Sequence, residues 1–468
     1  MSSPTRPRLA EHVLPRRHVR DGRTQVVLYD VAHDARLVLG PREWTVLALA
    51  DGSRDLEGIR LASLRDGVRV ELDELGAFFG RLAAEGLLEE GVVPRAPSSS
   101  RLASSRTADE GARPVRALPG YTFGCDASGE CCGQYPTILF TPSDLVRARS
   151  AMPDVLDGGF DAVLAFTPER GTSARELMAG PFVDGRCAYQ RADGLCGVHA
   201  VAGEAAKPAG CRLYPLTFVD DGDSVRVSLV CECPCAYRSA RAATPGHSLV
   251  APTIVRRDQL DPAAHVDRVA DVIALGASRT VGSDGLPAWS IAVCETPLAS
   301  GPRALVALAD AVERHALEPA ASADALGHVS QDPALVDVVS PRLAALGART
   351  ERRRREEGAW RDGRDAVGRG LAAVAGGALA LGSRALLETA LDDDAVPDDV
   401  RADERLYVRA SAFGHHWITR RGPLAEVLRD RAARLLVARA IAMGLAGVEP
   451  IEHPLGRVEA IVRTHGVA

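Results

Sequence analysis

The pattern of apolar and polar residues near the N-terminus predicts a β-hairpin followed by helices. Two short apolar runs, at residues 25–30 and 35–39, are separated by four residues, which is typical of a hairpin. Pro41 stands at a favoured first position of a helix. Two more helical patterns follow it, and the second of these covers residues 71–86. We predict that residues 15–92 form one small domain.

Residues 93–119 interrupt this periodicity. The stretch contains runs of serine together with proline and arginine, and it has no regular apolar face. A segment of this composition cannot bury enough apolar surface to offset the entropy that is lost on ordering. We therefore predict a disordered linker here, with a domain boundary.

From residue 248 to residue 468 the pattern is predominantly helical. The strongest prediction is a helix at residues 424–445, where apolar residues recur at helical spacing and glycines supply stop signals. Four further helical patterns precede it, at residues 262–277, 302–316, 334–345 and 366–391.

The cysteines are the most informative residues. Nine of the ten lie between positions 125 and 235, and the rest of the chain contains only Cys294. Thiols spaced in this way converge only if something binds them together, so the stretch predicts a site. The nine candidate ligands are Cys125, Cys131, Cys132, Cys187, Cys196, Cys211, Cys231, Cys233 and Cys235.

The spacing divides these cysteines into an opening knot that ends at Cys132, a middle knuckle that ends at Cys211, and a closing trio that begins at Cys231. In the knuckle, a turn is predicted at residues 192–194, and the charge of Arg212 could offset that of a thiolate. If a strand at residues 225–230 continues onward, the alternating trio faces one side of it.

The composition of the chain limits which ligands and partners are expected. The net charge of −6 gives no electrostatic reason to expect nucleic acid, and neither an export signal nor a membrane span is apparent. We therefore expect a cytoplasmic protein, where reducing conditions disfavour disulfides and clustered cysteines indicate metal or redox chemistry. Zinc and an iron-sulfur cluster both suit thiolate ligands, and one site, two sites or a binuclear site remain open.

The N-terminal pattern resembles a winged helix of the PqqD-like type, on the element order and on residues 39–44 (LGPREW) and 49–54 (LADGSR). The resemblance implies that an extended peptide or protein substrate could add to the exposed edge of the hairpin. The alternative is a winged helix that merely packs against the rest of the chain. DNA binding is disfavoured, because the helix at residues 71–86 is mainly acidic.

The cysteine stretch resembles the YkgJ-type family, described as a putative zinc- or iron-chelating domain. The family's opening C-x2-C-G-x-C-C fits residues 125–132 except at Ser128, which replaces the second cysteine. The downstream blocks around Cys187, Cys196 and residues 208–215 fit as well. Because Ser128 replaces the second cysteine, the fourth ligand of the opening knot must come from another part of the chain. A cysteine of the closing trio is a candidate.

The same family includes flagellin lysine N-methylases of the FliB type, which have a similar cluster, a segment like residues 227–234 and a helical C-terminal region. This likeness implies an iron-sulfur protein that methylates lysine with S-adenosylmethionine. The chain, however, shows neither a glycine-rich strand-to-helix motif nor a C-x3-C-x2-C triplet. For residues 415–417 (HHW), a packing or surface role is favoured over a pocket.

We therefore predict a multidomain α+β protein whose safest function is the binding of zinc or an iron-sulfur cluster. Two more specific hypotheses are a protein lysine N-methyltransferase and a non-catalytic, metal-stabilised peptide-binding scaffold, so whether the chain is an enzyme stays open. The predicted parts are a winged-helix module at residues 15–92, the linker at 93–119, a cysteine-rich metal domain at 120–247 and a helical region at 248–468.

Overall fold

A computed structural model provides the fold. The residues that the structure describes are 5–10, 13–20, 23–30, 35–65, 67–90, 111–126, 128–129, 132, 138–140, 142–152, 164–167, 175–179, 182–183, 186–242, 246–262, 264–327, 335–357, 387–418, 422–445 and 452–464.

Helices and small sheets occur together along the chain, which confirms the α+β class. The strands are β1 (Pro7–Leu9), β2 (Val13–Arg20), β3 (Arg23–Asp30), β4 (Ala35–Leu39), β5 (Leu88–Glu90), β6 (Val115–Ala117), β7 (Thr122–Phe123), β8 (Leu139–Phe140), β9 (Leu164–Thr167), β10 (Arg175–Ala179), β11 (Phe182–Val183), β12 (Arg186–Cys187), β13 (Leu216–Asp220), β14 (Val225–Leu229), β15 (His247–Ser248), β16 (Val266–Arg268), β17 (Val272–Ala274) and β18 (Thr280–Gly282).

Fourteen α-helices lie wholly within the described ranges. They are α1 (Pro41–Leu47), α2 (Leu56–Arg65), α3 (Leu72–Ala84), α4 (Pro142–Ala151), α5 (Gly197–Ala202), α6 (Ala209–Leu213), α7 (Pro234–Arg241), α8 (Leu286–Glu295), α9 (Gly301–His315), α10 (Pro319–Gly327), α11 (Leu335–Glu357), α12 (Asp398–Phe413), α13 (Leu424–Ala442) and α14 (Pro454–Thr464). No helix in these ranges combines the length and the apolar run that a bilayer crossing requires.

The chain divides into two compact units. Unit 1 comprises Met1–Arg106 with Tyr135–Arg212, and unit 2 comprises Thr107–Gln134 with Leu213–Ala468. Both units contain part of the cysteine stretch, because residues 120–247 are shared between them. The predicted domain boundaries stay predictions, and each unit is described by itself.

Unit 1 is built on the N-terminal hairpin. A five-stranded sheet has the order β12-β11-β2-β3-β4, in which β2, β3 and β4 run antiparallel. The hairpin predicted from the apolar runs is therefore confirmed, with β2 as a further strand in front of it. Val26 and Leu28 alternate into a buried core that α1, α2 and α3 share.

Helix α3 shows why this core forms. Glu71 and Glu74 make a reciprocal capping box at its start, and Leu75, Phe79 and Leu82 then recur on one buried face. Phe79 is fully buried. Its truncation to alanine is expected to cost about 3–5 kcal/mol, because a cavity would replace a large ring.

Unit 2 contains a four-stranded sheet in the order β16-β13-β14-β6. β13 and β14 form an antiparallel hairpin in which Leu216 lies opposite Leu229, and Gly222 takes the positive φ of 91° that its turn requires. β6 pairs in parallel with Val225–Val227. The end of the predicted linker is thus ordered as a strand. Pairing with the buried strand β14 satisfies the hydrogen bonds of its backbone groups, which the local sequence alone could not provide.

All five residues of β14 are buried. Trp289 of α8 and Trp417, which follows α12, pack edge to face at 6.4 Å between ring centroids. The helices predicted at residues 302–316, 334–345 and 424–445 are confirmed as α9, α11 and α13.

The helix predicted at residues 262–277 is wrong. The described residues there form the short strands β16 and β17, and Val266–Arg268 pairs in parallel with Phe218–Asp220. Valine at both strand starts favours this outcome, but the pairing partner is distant in the sequence, so the choice is a tertiary one. Most of the helix predicted at residues 366–391 lies outside the described residues; residues 387–391 are helical.

Candidate metal centre

The β13–β14 hairpin delivers the closing trio to the start of a helix. After β14 ends at Leu229, Val230 N–H donates to Pro215 O at 2.8 Å, and α7 begins at Pro234. The expectation that the strand continues through the trio is wrong, because Pro234 cannot donate to a ladder and suits the first turn of a helix.

Three thiols meet at this helix start. Cys233 is the residue that precedes α7, and Cys235 is its second residue. The side chains of Cys125 and Cys233 both hydrogen-bond to the sulfur of Cys235. Cys233 and Cys235 are buried, whereas Cys125 is exposed. The sequence predicted a site here but not which thiols would meet, since Cys125 is far away along the chain.

A carboxylate and a guanidinium complete the surroundings of these thiols. The Cys235 thiol donates to Asp126 Oδ1 at 3.0 Å, and Arg238 pairs with the Asp126 carboxylate. Arg238 Nη2 also lies 3.8 Å from Cys235 Sγ and 3.2 Å from Ser128 Oγ. Ser128 therefore lies beside the same group of side chains.

The environment favours the thiolate of Cys235. Hydrogen bonds with Cys125 and Cys233 hold its pKa well below the usual range, against the opposing effect of burial. The position at a helix N-terminus further stabilises negative charge. A thiolate is the form in which cysteine binds a metal.

Cys231 is directed elsewhere. Its sulfur lies 3.6 Å from Ser411 Oγ, and burial raises the pKa of this thiol well above its usual value. Tyr237 donates to the carbonyl oxygen of Cys231 at 2.8 Å. The closing trio is thus divided between a pair at the helix start and one thiol directed toward α12.

The remaining cysteines of the opening knot are described only in part. Cys131 lies outside the described residues. Cys132 is half-buried, and its N–H donates to Gly129 O at 3.0 Å in a tight turn.

The middle knuckle belongs to unit 1. Cys187 ends β12 and Cys196 precedes α5, and a turn links them in which Gly194 N–H donates to Arg191 O at 3.0 Å with a positive φ of 84°. The predicted turn is confirmed. Cys211 lies in the five-residue helix α6.

Arg212, which was expected to offset a thiolate, donates from Nη1 to Lys207 O at 3.0 Å. The arginine beside the described thiols of unit 2 is instead Arg238. The signal in the sequence that could have found it is Pro234, which suits a helix start, together with the i,i+3 spacing of Arg238 from Cys235, which places the two side chains on one helix face.

The described residues provide no ready-made ligand set. Within the part of the chain that the structure describes, no three side chains of histidine, cysteine, aspartate or glutamate converge as ligands of one ion. Sulfur ligands of a single tetrahedral zinc ion lie roughly 3.8 Å apart, given Zn–S bonds of about 2.3 Å, which is close to the reach of a sulfur hydrogen bond. The hydrogen-bonded thiols of Cys125, Cys233 and Cys235 are therefore a small rearrangement away from a common centre.

Comparisons of the chain with protein-family models, with curated proteins and with solved structures find no match. The YkgJ-type, FliB-type and PqqD-like resemblances accordingly stay predictions that rest on the residues quoted for them.

Proposed function

We propose that unit 2 binds a metal through the thiols of Cys125, Cys233 and Cys235. The observation that carries this proposal is the hydrogen-bonded contact of two buried thiols and one exposed thiol at the start of α7.

Asp126 is the best candidate for the fourth ligand. Its Oδ1 atom lies 3.0 Å from Cys235 Sγ, and it occupies the same loop as Ser128, where the family has a cysteine. Three thiolates and one carboxylate suit zinc, which accepts both ligand types, better than an iron-sulfur cluster, which is held mainly by thiolates. We therefore favour zinc over a cluster at this site.

We further propose that the finer organisation follows the sequence prediction. The β2–β4 sheet with α1, α2 and α3 is treated as a winged-helix module, and β4 is its edge strand, with Val38 56% exposed. An unpaired edge can accept an extended peptide or protein substrate by strand addition. Residues 120–247 would then be the metal domain and residues 248–468 the helical region.

The catalytic and non-catalytic versions of this function stay alternatives. Methylation of lysine with S-adenosylmethionine rests on the FliB-type resemblance, and a metal-stabilised scaffold requires only the site itself. Binding of S-adenosylmethionine by the purified chain, measured by calorimetry, distinguishes the two hypotheses.

The metal proposal is tested by composition. We expect anaerobically purified protein to be colourless and to contain about one zinc per chain, without stoichiometric sulfide. The Cys235→Ser variant should lose the metal, whereas Cys294→Ser, a buried cysteine of α8, should retain it. A brown protein with stoichiometric sulfide would show that the site holds an iron-sulfur cluster and not zinc. A protein that contains no metal after dialysis against zinc would refute the proposal.

A further inference from the structure

A second group of polar side chains lies inside unit 2, at the β13–β14 hairpin. Arg226, in the middle of β14, is 1% exposed, although burying a guanidinium is costly unless its donors find acceptors. A buried strand position would ordinarily take an apolar residue. The arginine therefore calls for a physical reason.

Asp221 provides only part of that reason. Arg226 Nε donates to Asp221 Oδ2 at 2.7 Å, and His415 Nε2 lies 3.3 Å from the same oxygen. The other carboxylate oxygen, Oδ1, accepts the backbone N–H groups of Ser224 and Asp223 at 2.7 and 3.0 Å. Since Asp221 is shared among five donors, counting the Ser224 hydroxyl at 3.4 Å, it has no capacity left for the Nη atoms of Arg226.

The guanidinium of Arg226 has partners on one face and one edge, whereas its other edge has none in the described residues. Its carbon atom lies 5.0 Å from the ring centroid of Phe413, so the aromatic ring covers one face. Asp221 occupies the Nε edge. The edge formed by Nη1 and Nη2 has no hydrogen-bond partner among the residues that the structure describes.

Two further buried ring nitrogens follow helix α12. His415 Nδ1 and Trp417 Nε1 also have no partner within the described ranges, and these residues are 4% and 1% exposed. His415 adopts a left-handed backbone with φ 54°, which a non-glycine residue seldom takes, and its ring is anchored on the oxygen that Arg226 uses. Because a neutral imidazole has one N–H, which His415 directs to Asp221, the N–H donors without a partner in the described ranges are those of Arg226 and Trp417.

We infer that Arg226 is the binding group of an interior oxyanion site, in which the Nη1–Nη2 fork takes a pair of carboxylate or phosphate oxygens and the His415–Trp417 turn lies beside it. A planar fork of two parallel N–H groups matches paired oxygens of this kind. Neither the thiols nor a metal is involved, so this inference is independent of the proposed metal function.

Calorimetric titration of the full chain tests the site, with sodium formate and inorganic phosphate as separate probes at constant ionic strength. We expect saturable binding of at least one probe. Formate binding alone identifies a carboxylate ligand, and phosphate binding alone a phosphate ligand. If neither probe binds, the buried donors are satisfied in another way and the inference is overturned.

Variants connect the binding to Arg226. We expect Arg226→Gln to weaken the affinity for the probe by about tenfold or more, because the fork is lost. The matched control is Arg257→Gln, which removes an arginine paired with Asp220 of the same hairpin and should leave the affinity unchanged. Unchanged affinity in Arg226→Gln would refute the inference.

A second variant covers the case in which Arg226→Gln does not fold. Arg226→Lys keeps the charge but removes the fork, so about tenfold weaker binding is again expected, and unchanged affinity overturns the inference. The Cys233→Ser/Cys235→Ser protein should bind the probe as the unmodified chain does, which separates failure of this site from failure of the metal site.

Discussion

The two groups of described thiols differ in what holds them. In unit 2, Cys233 and Cys235 stand where a fully buried hairpin strand passes into a helix that belongs to the large core of that unit. In unit 1, Cys187 and Cys196 stand at the two ends of a short turn, and Cys211 lies in a helix of five residues.

The difference shows that clustering along the chain and assembly in space are separate properties. Both groups are dense in cysteine, and in unit 2 hydrogen bonds link Cys235 to Cys125 and Cys233 at the start of a packed helix. A site built on a packed strand and helix loses less entropy on binding a metal than a site built on loops. Metal affinity is therefore expected to depend mainly on unit 2.

The largest expected effect comes from removing the unit 2 pair. The Cys233→Ala/Cys235→Ala variant should lose zinc affinity by more than about a thousandfold, because two of four ligands carry about half of a binding free energy of about 10–16 kcal/mol. Cys187→Ala/Cys196→Ala is the matched variant in unit 1 and should retain zinc. Competition with a chelator measures both affinities, and equal losses would abolish the distinction between the groups.

Removing Arg238 should have the next largest effect. This side chain contacts Asp126, Ser128 and Cys235, so Arg238→Ala is expected to weaken zinc binding by about 10–100-fold, as is usual for residues that support metal ligands. Arg241→Ala is the control on the same helix, since Arg241 pairs with Asp399 and Asp403 instead. If both variants bind zinc equally well, Arg238 does not support the site.

The Ser128→Cys variant should strengthen the site. A thiol at this position faces Arg238, which also contacts Cys235, so we expect about tenfold tighter zinc binding if it replaces the carboxylate of Asp126 as fourth ligand. Ser150→Cys, an exposed substitution on α4, is the control for an added thiol. Zinc affinity that changes equally in both variants would show that position 128 does not face the metal.

Lowering the pH should reduce the free energy of unfolding gradually, through the buried groups at the unit 2 hairpin, and this effect should be smaller than those above. Burial and then the hydrogen bond with Asp221 determine the pKa of His415, and the net result lies below its usual value of about 6.5. The unfolded chain therefore takes up a proton below about pH 6.5 that the folded hairpin resists, so the free energy of unfolding falls as the pH falls below that value.

Asp221 acts in the same direction at lower pH. Burial opposes its ionisation, but the hydrogen bond with His415 and the charge of Arg226 hold its pKa well below the usual range, so its contribution is lost only in strong acid. Urea unfolding between pH 5 and pH 7 measures the slope. His415→Asn should flatten this slope, whereas the exposed His315→Asn should not; identical slopes in all three proteins would contradict the assignment.

Local patterns were sufficient for part of the fold. Apolar alternation over residues 25–39 predicted the hairpin, and helical spacing predicted α9 and α13 within a few residues. These elements were predictable because each has one face that must be buried, and the period of that face is written in neighbouring residues. The strand at Val115–Ala117 was missed because its stability comes from pairing with β14, which is distant in the sequence.

By itself, the sequence determined where the cysteines are concentrated, that they fall into three groups, and that a serine stands at position 128 within the first of them. Only the tertiary structure decided that Cys125 meets Cys233 and Cys235, that Cys231 points toward Ser411, and that Arg238 supplies the nearby positive charge. The physical reason is that spacing constrains only side chains within a few residues of each other. Contacts over more than a hundred residues depend on how β14 and α7 pack into the core of unit 2.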